Sequence, residues 1–171
     1  LAEDILRKHG FVEGVNYKKQ TSLDYASGRP DITFLLPTEQ TLHMDVKFPF
    51  DNYMRYINAE TDTEKGSFKS LFLSDVKNRI KEITSREYID PSQSTLDYVI
   101  FFIPNDSVYT FISQEDDELF ENARQDRVLC CSPSTILAVL GVVRQSLENF
   151  NFSQRADEML GVMGEFKKQW D

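Results

Sequence analysis

Residues 29–49 read RPDITFLLPTEQTLHMDVKFP, and they decide the fold because two short apolar runs flank a turn. Runs of this length, separated by a Pro-containing segment such as PTEQ, are typical of a β-hairpin. Each run carries one aspartate, Asp31 in the first and Asp45 in the second, and Lys47 follows two residues after Asp45. The stretch therefore predicts a hairpin whose strands bring together two carboxylates and an ammonium group.

The alternation of side chains along each strand predicts how the hairpin pairs. Residues two apart in a strand share a face. The apolar set would be Ile32, Phe34 and Leu36 on one strand and Leu42, Met44, Val46 and Phe48 on the other, with His43, Asp45 and Lys47 opposite. Both apolar sets must pack on one core, so Asp31 lies opposite Asp45 or, one step away, opposite Lys47. The charged groups then converge on the face that the apolar residues leave free.

Such a convergence of charged groups suits metal chemistry. Two close carboxylates repel each other, and a cation is the usual remedy. Carboxylates with a main-chain carbonyl form an oxygen-rich half-shell suited to Mg²⁺ or Mn²⁺. A lysine alongside can stabilise charge that develops on phosphorus, which would complete a centre for phosphodiester hydrolysis. The alternative is an ordinary solvated strand face with Asp–Lys cross-pairs.

Length and composition favour one globular domain. The chain has 171 residues, of which 40% are hydrophobic and 27% charged, and this excludes a disordered protein. The longest apolar runs, at 98–103 and 136–143, are too short to span a bilayer. Adjacent Cys130 and Cys131 are predicted to be small buried residues in a reducing cytoplasm. The chain begins with Leu1 rather than Met, which we interpret as a fragment of a longer parent.

The distribution of charge matters more than its total of −9, which by itself argues against a nucleic-acid partner. Residues 105–126 carry a local charge of −6, whereas residues 65–88 carry +3. A basic helix beside an acidic body is compatible with binding a polyanion on one face. It is equally compatible with a solvated helix face.

Helical patterns flank the hairpin. Residues 1–10 predict a short helix that stops at Gly10, and residues 51–87 predict a helix interrupted at TDTEKGS. In the latter, helical spacing assigns Leu71, Val76, Ile80 and Ile83 to the core and turns Lys77, Lys81 and Arg79 toward solvent or a ligand. SPSTILAVLGVVRQSLENF predicts a largely buried helix, followed by an amphipathic helix with Met159, Leu160, Met163, Phe166 and Trp170 on its apolar side.

The remaining segments complete an α/β pattern with a mixed sheet. NYKKQTS is expected to be an edge strand, LDYVIFFIP a strand buried on both faces, and RVLCCS another interior strand. SVYTFIS is expected to be a strand or extended, and residues 114–126 a helix. We expect a core of about residues 1–133 with a C-terminal helical extension of about 134–171.

Ordered motifs along the chain resemble a known family. Pro30-Asp31 followed by Asp45-Val46-Lys47 resembles the PD-(D/E)xK signature of the restriction-endonuclease-like fold. The C-terminal domain of the RmuC family of DNA recombination proteins is similar to this chain in GVNY, GRPDITFLLP, HMDVKFPFDNYMRY, SREYI, LDYVIFFIPND and VLCCSPSTILAVL. The resemblance implies a bacterial, cytoplasm-facing DNA nuclease that acts in recombination or limits rearrangement. It also implies a parent with an N-terminal membrane segment and a long coiled coil, and no membrane contact by this fragment.

The resemblance implies roles for the residues of the hairpin. Asp31 would be the central metal ligand and Asp45 the second, the Val46 carbonyl would complete the shell, and Lys47 would be the catalytic lysine. The fold often adds an acid from its first helix, for which Glu3 is the best match and Asp4 the next. The alternative is that both acids are favourable charges in the first turn of a helix.

The resemblance also indicates substrate-binding residues. Lys77 and Arg79 would lie on the helix that presents basic side chains to phosphate. Arg29 would grip phosphate or pair with an acid, and Tyr53 would stack on bases or lie at the edge of the core. The family commonly has Glu where this chain has Asn105-Asp106, so no role is assigned to Asp106.

These observations lead to three hypotheses about function. The first is a Mg²⁺- or Mn²⁺-dependent deoxyribonuclease in which water near Lys47 attacks phosphorus while Asp31 and Asp45 hold the metal. The second is a non-catalytic DNA-binding or scaffold module that keeps the nuclease architecture. The third is a protein–protein hub that oligomerises through the helix at 153–170.

Overall fold

A five-stranded mixed sheet organises the chain. The computed structural model describes residues 1–24, 26–36 and 39–170, without the side chains at 147, 150, 151, 157 and 161–170. The strands lie in chain order, as β1 (Tyr17–Lys19), β2 (Ile32–Leu35), β3 (Thr41–Asp45), β4 (Thr95–Phe102) and β5 (Val128–Cys131). β1, β2 and β3 are antiparallel neighbours, whereas β3, β4 and β5 are parallel. The predicted α/β fold with a mixed sheet is confirmed, and so is the edge strand in NYKKQTS.

Helices cover both faces of this sheet. They are α1 (Ala2–Lys8), α2 (Asp51–Asn58), α3 (Asp62–Ser85), α4 (Asp106–Glu115), α5 (Leu119–Gln125) and α6 (Pro133–Trp170), with a 3-10 turn at Pro91–Gln93. One core joins the sheet to α1 and α6 through Leu6, Phe34, Met44, Ile136 and Leu140. The other joins it to α3, α4 and α5 through Phe72, Val76, Phe101, Ile112 and Leu119. α1 ends as predicted, with Gly10 at a φ of +78°.

The hairpin has the first of the two predicted registers. Ile32 pairs with Met44 and Phe34 with Leu42, and continuing that register sets Asp31 opposite Asp45. The Val46 N–H donates to Asp31 Oδ2 at 2.8 Å, which extends the pairing beyond the ladder. Part of the predicted PTEQ turn, Pro37 and Thr38, lies outside the described residues.

The polar face of the hairpin is not free, which corrects the sequence interpretation. α3 packs over it, and Asp45 is only 1% exposed. Phe48 does not share a face with Met44, because β3 ends at Asp45 and the alternation ends with it. The Phe48 ring instead stacks on Phe101 in the core under α3, with ring centroids 5.7 Å apart.

The helical region after the hairpin breaks earlier than predicted. The interruption lies at residues 59–61, and TDTE begins α3 because Thr61 and Glu64 form a reciprocal capping box. Phe72, rather than Leu71, occupies the core, since Leu71 is 46% exposed. The predicted burial of Val76, Ile80 and Ile83 is confirmed.

Two predictions for the segments after β4 are wrong. SVYTFIS is not extended but belongs to α4, whose start Asn105 caps by accepting hydrogen bonds from the Ser107 and Val108 N–H groups. RVLCCS forms β5 at an edge of the sheet rather than in its interior, although helices cover it. The predicted acidic helix at 114–126 is divided between two helices, since residues 114–115 end α4 and Leu119–Gln125 form α5. LDYVIFFIP is confirmed as a strand buried on both faces, since Phe101 and Phe102 are both fully buried.

α6 is one continuous helix of 38 residues, where two were predicted. Its described side chains are not largely buried: Ile136, Leu140 and Val143 face the core with Val139 packed against it, while Leu137 and Val142 are exposed. Met159 and Leu160 are exposed, and the side chains of the other predicted apolar positions, Met163, Phe166 and Trp170, lie outside the described part.

Asp106 has a structural role at the start of this helix. Its Oδ1 accepts hydrogen bonds from the Ser132 hydroxyl and the Ser134 N–H, so it joins the first turn of α4 to the first turn of α6. Cys130 and Cys131 are half-buried and buried free thiols, as predicted, and burial raises their pKa to about 12 and about 11. No helix within the described residues has both the length and the apolar content of a membrane span.

Candidate active site

Most of the predicted metal and catalytic residues line a single cleft of about 750 Å³. α1 contributes Glu3 and Asp4 from its first turn, held in place by Leu6 in the core. The hairpin contributes Asp31, Val46 and Lys47, and β1 contributes Lys19 and Gln20. We call this the hairpin cleft. Four of the five predicted residues (Glu3, Asp31, Val46 and Lys47) meet there, and Asp45 lies beneath it.

Asp31 is the accessible carboxylate of the hairpin. Its Oδ2 is fixed by the Val46 N–H at 2.8 Å, whereas Oδ1 has no hydrogen-bond partner among the described residues. Glu3 contacts Lys19, with 3.4 Å between Oε2 and Nζ, and Lys19 also pairs with Glu13 at 3.2 Å. Hydrogen bonds to Glu13 and Glu3 raise the pKa of Lys19 above its ordinary value, so it remains a cation at the rim.

Asp45 is buried and engaged by two arginines. Its Oδ1 accepts from Arg79 Nη2 at 2.6 Å and its Oδ2 from Arg86 Nη1 at 3.0 Å. The Lys47 N–H also donates to Oδ1, at 3.2 Å. We call Arg79 and Arg86 the arginine clamp. Two guanidinium groups on one carboxylate compensate the cost of burying its charge, and they occupy both oxygens that a metal would need.

The arginine clamp is supported by further polar contacts. Arg79 Nη1 donates to Glu82 Oε2 at 2.8 Å, and Arg86 Nη1 donates to the Tyr88 hydroxyl at 3.2 Å. Burial favours the neutral form of Arg79, but its hydrogen bonds to Asp45 and Glu82 outweigh this, so its pKa is raised. Burial raises the pKa of Tyr88, which therefore keeps its proton.

His43 lies on the same buried face as Asp45. Its Nδ1 is 3.0 Å from the Thr33 hydroxyl oxygen, and both residues are buried. Burial lowers the pKa of His43 to about 4, so the imidazole is neutral at pH 7. His43 therefore adds no positive charge to this face at neutral pH.

A second cleft, of about 650 Å³, lies on the other side of Lys47. It runs between the end of the hairpin, α2 and α3, and we call it the helix cleft. Its lining includes Lys47, Arg55, Asn78 and Arg79, together with the acids Asp51, Asp75 and Glu82. Lys47 lines both clefts, so a ligand at its ammonium group can extend in either direction.

The other predicted substrate-binding residues lie apart from both clefts. Arg29 is exposed and lines neither. Lys77 forms an ion pair with Asp116 at 2.6 Å, on the side of α3 that faces the acidic segment. Tyr53 packs its ring against Phe72 and Phe111, at centroid distances of 5.1 and 5.6 Å. Arg79 alone among the predicted substrate-binding residues reaches the site.

Sequence reasoning missed Arg86, Tyr88 and Lys19. Arg86 ends α3 and follows Asp45 by 41 residues, so no local spacing connects the two. The only signal was SREYI, which contains Arg86 and Tyr88 and belongs to the ordered segments of the resemblance. Lys19 comes from the short strand β1, whose pairing with β2 brings it to the cleft.

The donor atoms fit a hard divalent cation in kind, with one restriction. Asp31, Glu3 and the Val46 carbonyl supply oxygen donors to one cleft, as Mg²⁺ and Mn²⁺ prefer. Within the described part of the chain, no three His, Cys, Asp or Glu side chains are grouped closely enough to hold a metal ion. Asp45 can join the donors only if the arginine clamp opens, because both of its oxygens are engaged.

Comparison with known proteins decides the family. The model of the RmuC family matches residues 1–171. The chain belongs to the RmuC family. A DNA recombination protein RmuC homolog of Vibrio cholerae serotype O1 is 30% identical over 156 residues, which are 89% of this chain and 30% of that protein. The DNA recombination protein RmuC of Escherichia coli K12 is 29% identical over 161 residues, 90% of this chain and 34% of that protein.

The match covers only part of these RmuC proteins. A homolog from Pseudomonas aeruginosa is 27% identical over 172 residues, which are 96% of this chain and 38% of that protein. The chain thus spans about a third of the length of the curated relatives it matches. No solved structure matches the chain significantly. The predicted membership of this family of DNA recombination proteins is confirmed.

Proposed function

We propose that this RmuC-family chain is a Mg²⁺- or Mn²⁺-dependent DNA nuclease of the PD-(D/E)xK type on a restriction-endonuclease-like core. The observation that carries the proposal is the hairpin register, which sets Asp31 opposite Asp45 and brings Asp31, Val46 and Lys47 to one cleft with Glu3. The names of the relatives, DNA recombination proteins, support DNA as the substrate. The activity would serve recombination or limit DNA rearrangement.

Each residue of the centre has a distinct role in the proposal. Asp31, Glu3 and the Val46 carbonyl hold the metal from the hairpin cleft, and Asp45 adds a second hairpin carboxylate. The metal, when bound, polarises the phosphate and lowers the pKa of water. The exposed Lys47 ammonium stabilises the charge that develops on the phosphate oxygens. Arg79 lines the adjoining cleft and contacts the DNA backbone there.

The proposal extends to domain and compartment. In this proposal the nuclease core covers about residues 1–133, and about 134–171 form a helical extension whose first turns pack on that core through Ile136 and Leu140. We place this part in the cytoplasm, where buried free thiols such as Cys131 stay reduced. The exposed Met159 and Leu160 of α6 are available for oligomerisation, which the proposal allows.

A second candidate function is a DNA-binding or scaffold module without catalysis. The observation that favours it is the arginine clamp, which occupies both oxygens of Asp45. In this alternative the buried carboxylate anchors two half-buried arginines and never binds a metal. DNA binding would then be independent of divalent cations.

A cleavage assay tests the proposal against this alternative. Linear duplex, branched and single-stranded DNA, with RNA in parallel, are incubated with Mg²⁺, Mn²⁺ or a chelator. We expect metal-dependent cleavage that falls by about 10² or more in Lys47→Ala, the range for loss of a transition-state charge contact. Lys18→Ala is the matched control, because Lys18 is exposed on β1 and lines neither cleft. DNA binding that survives chelation, with no cleavage of any substrate, would establish the module instead.

A further inference from the structure

The two arginines of the clamp differ in their surroundings. Arg79 makes the shorter bond to Asp45, at 2.6 Å, and a second ion pair to Glu82, whereas the bond from Arg86 to Asp45 is 3.0 Å. Arg86 bonds Asp45 and the Tyr88 hydroxyl, and it lines neither cleft. Arg79 lines the helix cleft, and its Nε is buried without a hydrogen-bond partner among the described residues. A buried donor without a partner costs free energy, so a rearrangement that gives Arg79 Nε a partner recovers part of the cost of breaking its bond to Asp45. Arg79 is therefore the member of the clamp that borders a cleft and can gain a hydrogen bond by moving.

The helix cleft contains basic side chains that can bind a DNA phosphate next to Arg79. Lys47 and Arg55 line it, and within the described residues neither side chain forms an ion pair. The acids there are partly satisfied, since Asn52 donates to Asp75 at 2.6 Å and Arg79 donates to Glu82. An arginine fork binds phosphate oxygens with the same two-bond geometry that it uses for a carboxylate.

We propose that Arg79 exchanges partners when DNA binds, leaving Asp45 for a backbone phosphate in the helix cleft and thereby releasing Asp45 Oδ1 toward the metal. This rests on the proposed function and specifies its regulation: the second hairpin carboxylate becomes a metal ligand only once DNA is in place. Arg86 stays on Oδ2 and keeps Asp45 oriented. The chain without DNA then holds the metal only weakly, through Asp31, Glu3 and the Val46 carbonyl.

The exchange requires DNA and metal to bind cooperatively. If DNA raises the affinity for the metal by some factor, the metal raises the affinity for DNA by the same factor. The coupling arises because the ligand that binds first breaks the Arg79–Asp45 pair. The second ligand then binds without that cost in free energy. Removing the Arg79 guanidinium should therefore remove the coupling while leaving Asp45 open to the metal.

The test measures Mn²⁺ binding by the electron paramagnetic resonance signal of free Mn²⁺, with and without a short DNA duplex or its single strand. Every protein keeps Lys47, and the DNA carries phosphorothioate linkages that slow cleavage. With this DNA we expect Mn²⁺ binding to tighten about tenfold or more, within the usual range for coupled sites. In Arg79→Gln, Mn²⁺ should bind more tightly without DNA, and the factor by which DNA raises the Mn²⁺ affinity should fall toward one. Lys81→Gln, which removes an exposed base from the same helix, should keep the coupling.

The outcomes separate the exchange from the proposed function. Coupling that persists in Arg79→Gln, or is absent when Arg79 is present, overturns the exchange while Mn²⁺ binding still supports the nuclease. Failure to bind Mn²⁺ with or without DNA overturns both. If circular dichroism shows that Arg79→Gln does not fold, Arg79→Lys replaces it, because one ammonium cannot bridge Asp45 and Glu82 as the guanidinium does. The reciprocal measurement, DNA affinity with and without saturating Mn²⁺, must give the same factor and needs no change at Arg79.

Discussion

The two aspartates of the hairpin occupy opposite positions in the same register, yet their surroundings differ in almost every respect. Asp31 borders an open cleft and uses one oxygen to hold the Val46 N–H. Asp45 is 1% exposed and surrounded by Arg79, Arg86 and the Lys47 N–H. The comparison teaches that strand register determines where a carboxylate lies, whereas a helix from a distant segment determines whether it is available.

The largest expected effect concerns the stability contributed by each aspartate. Asp45→Ala leaves two half-buried guanidinium groups without their carboxylate, and we expect a loss of roughly 3 kcal/mol in the free energy of unfolding, the lower end for breaking a buried pair. Asp31→Ala removes a single hydrogen bond at the edge of a cleft and should cost about 1 kcal/mol. Urea denaturation of both variants measures the difference. Equal losses would show that the burial of Asp45 does not distinguish the two sites.

The next effect is the pH dependence of the free energy of unfolding. The chain has two histidines, of which His43 is buried on the Asp45 face and His9 is exposed. Burial lowers the pKa of His43 to about 4 from 6.5, so between these values the unfolded chain binds a proton that the folded chain does not. The neutral, buried His43 therefore contributes fully to the free energy of unfolding above pH 6.5. As the pH falls toward 4 this contribution is lost, which lowers the free energy of unfolding by roughly 3 kcal/mol for this shift.

Variants at each histidine isolate that contribution. The free energy of unfolding, measured by denaturant titration between pH 6.5 and 4, should fall less steeply in His43→Gln than in the wild type. His9→Gln, at an exposed position at the end of α1, is the matched control. The burial of this face would be contradicted if the slope were the same in all three proteins.

The smallest effect concerns the helix that closes the Asp45 side. Thr61 caps α3, the helix that carries Arg79, by accepting from the Glu64 N–H. Thr61→Ala should cost about 1 kcal/mol in the free energy of unfolding, and hydrogen exchange should quicken in the first turns of α3 but not in α1. Thr63→Ala, at an exposed position two residues on, is the control and should change little. Faster exchange in α1 as well would mean that the two sides of the site do not open independently.

The sequence predicted the features of the site that depend on alternation and order. The spacing of Asp31, Asp45 and Lys47 in apolar strands was sufficient to limit the hairpin to two registers, because a slip of one residue would expose its apolar set. The arginine clamp could not be predicted, since Arg79 and Arg86 reach Asp45 only through the tertiary packing of α3. Helical spacing turned Arg79 toward solvent or a ligand, because a pattern of apolar residues contains no information about a buried charge partner.

The errors in the predicted secondary structure came from residue preferences that helix caps and apolar spacing outweighed. SVYTFIS is rich in strand-forming residues, yet the Asn105 cap and the four-residue spacing of Val108 and Ile112 make it a helix. TDTEKGS suggested a break because it is polar and contains Gly66, although Thr61 and Glu64 form a helix-starting box within it. Both helices bear on the site, since α3 supplies the clamp and α4 packs in the same core.

The affinity for Mn²⁺ without DNA, measured in Asp31→Asn and Asp45→Asn, tests most directly whether the two aspartates differ in availability. Calorimetric titration of each variant is compared with the wild type, after circular dichroism confirms that both are folded. Because Asp31 faces the cleft and Asp45 is held by the arginine clamp, Asp31→Asn should weaken Mn²⁺ binding about tenfold or more, while Asp45→Asn stays near the wild-type affinity. A loss in Asp45→Asn as large as in Asp31→Asn, or larger, would contradict the account.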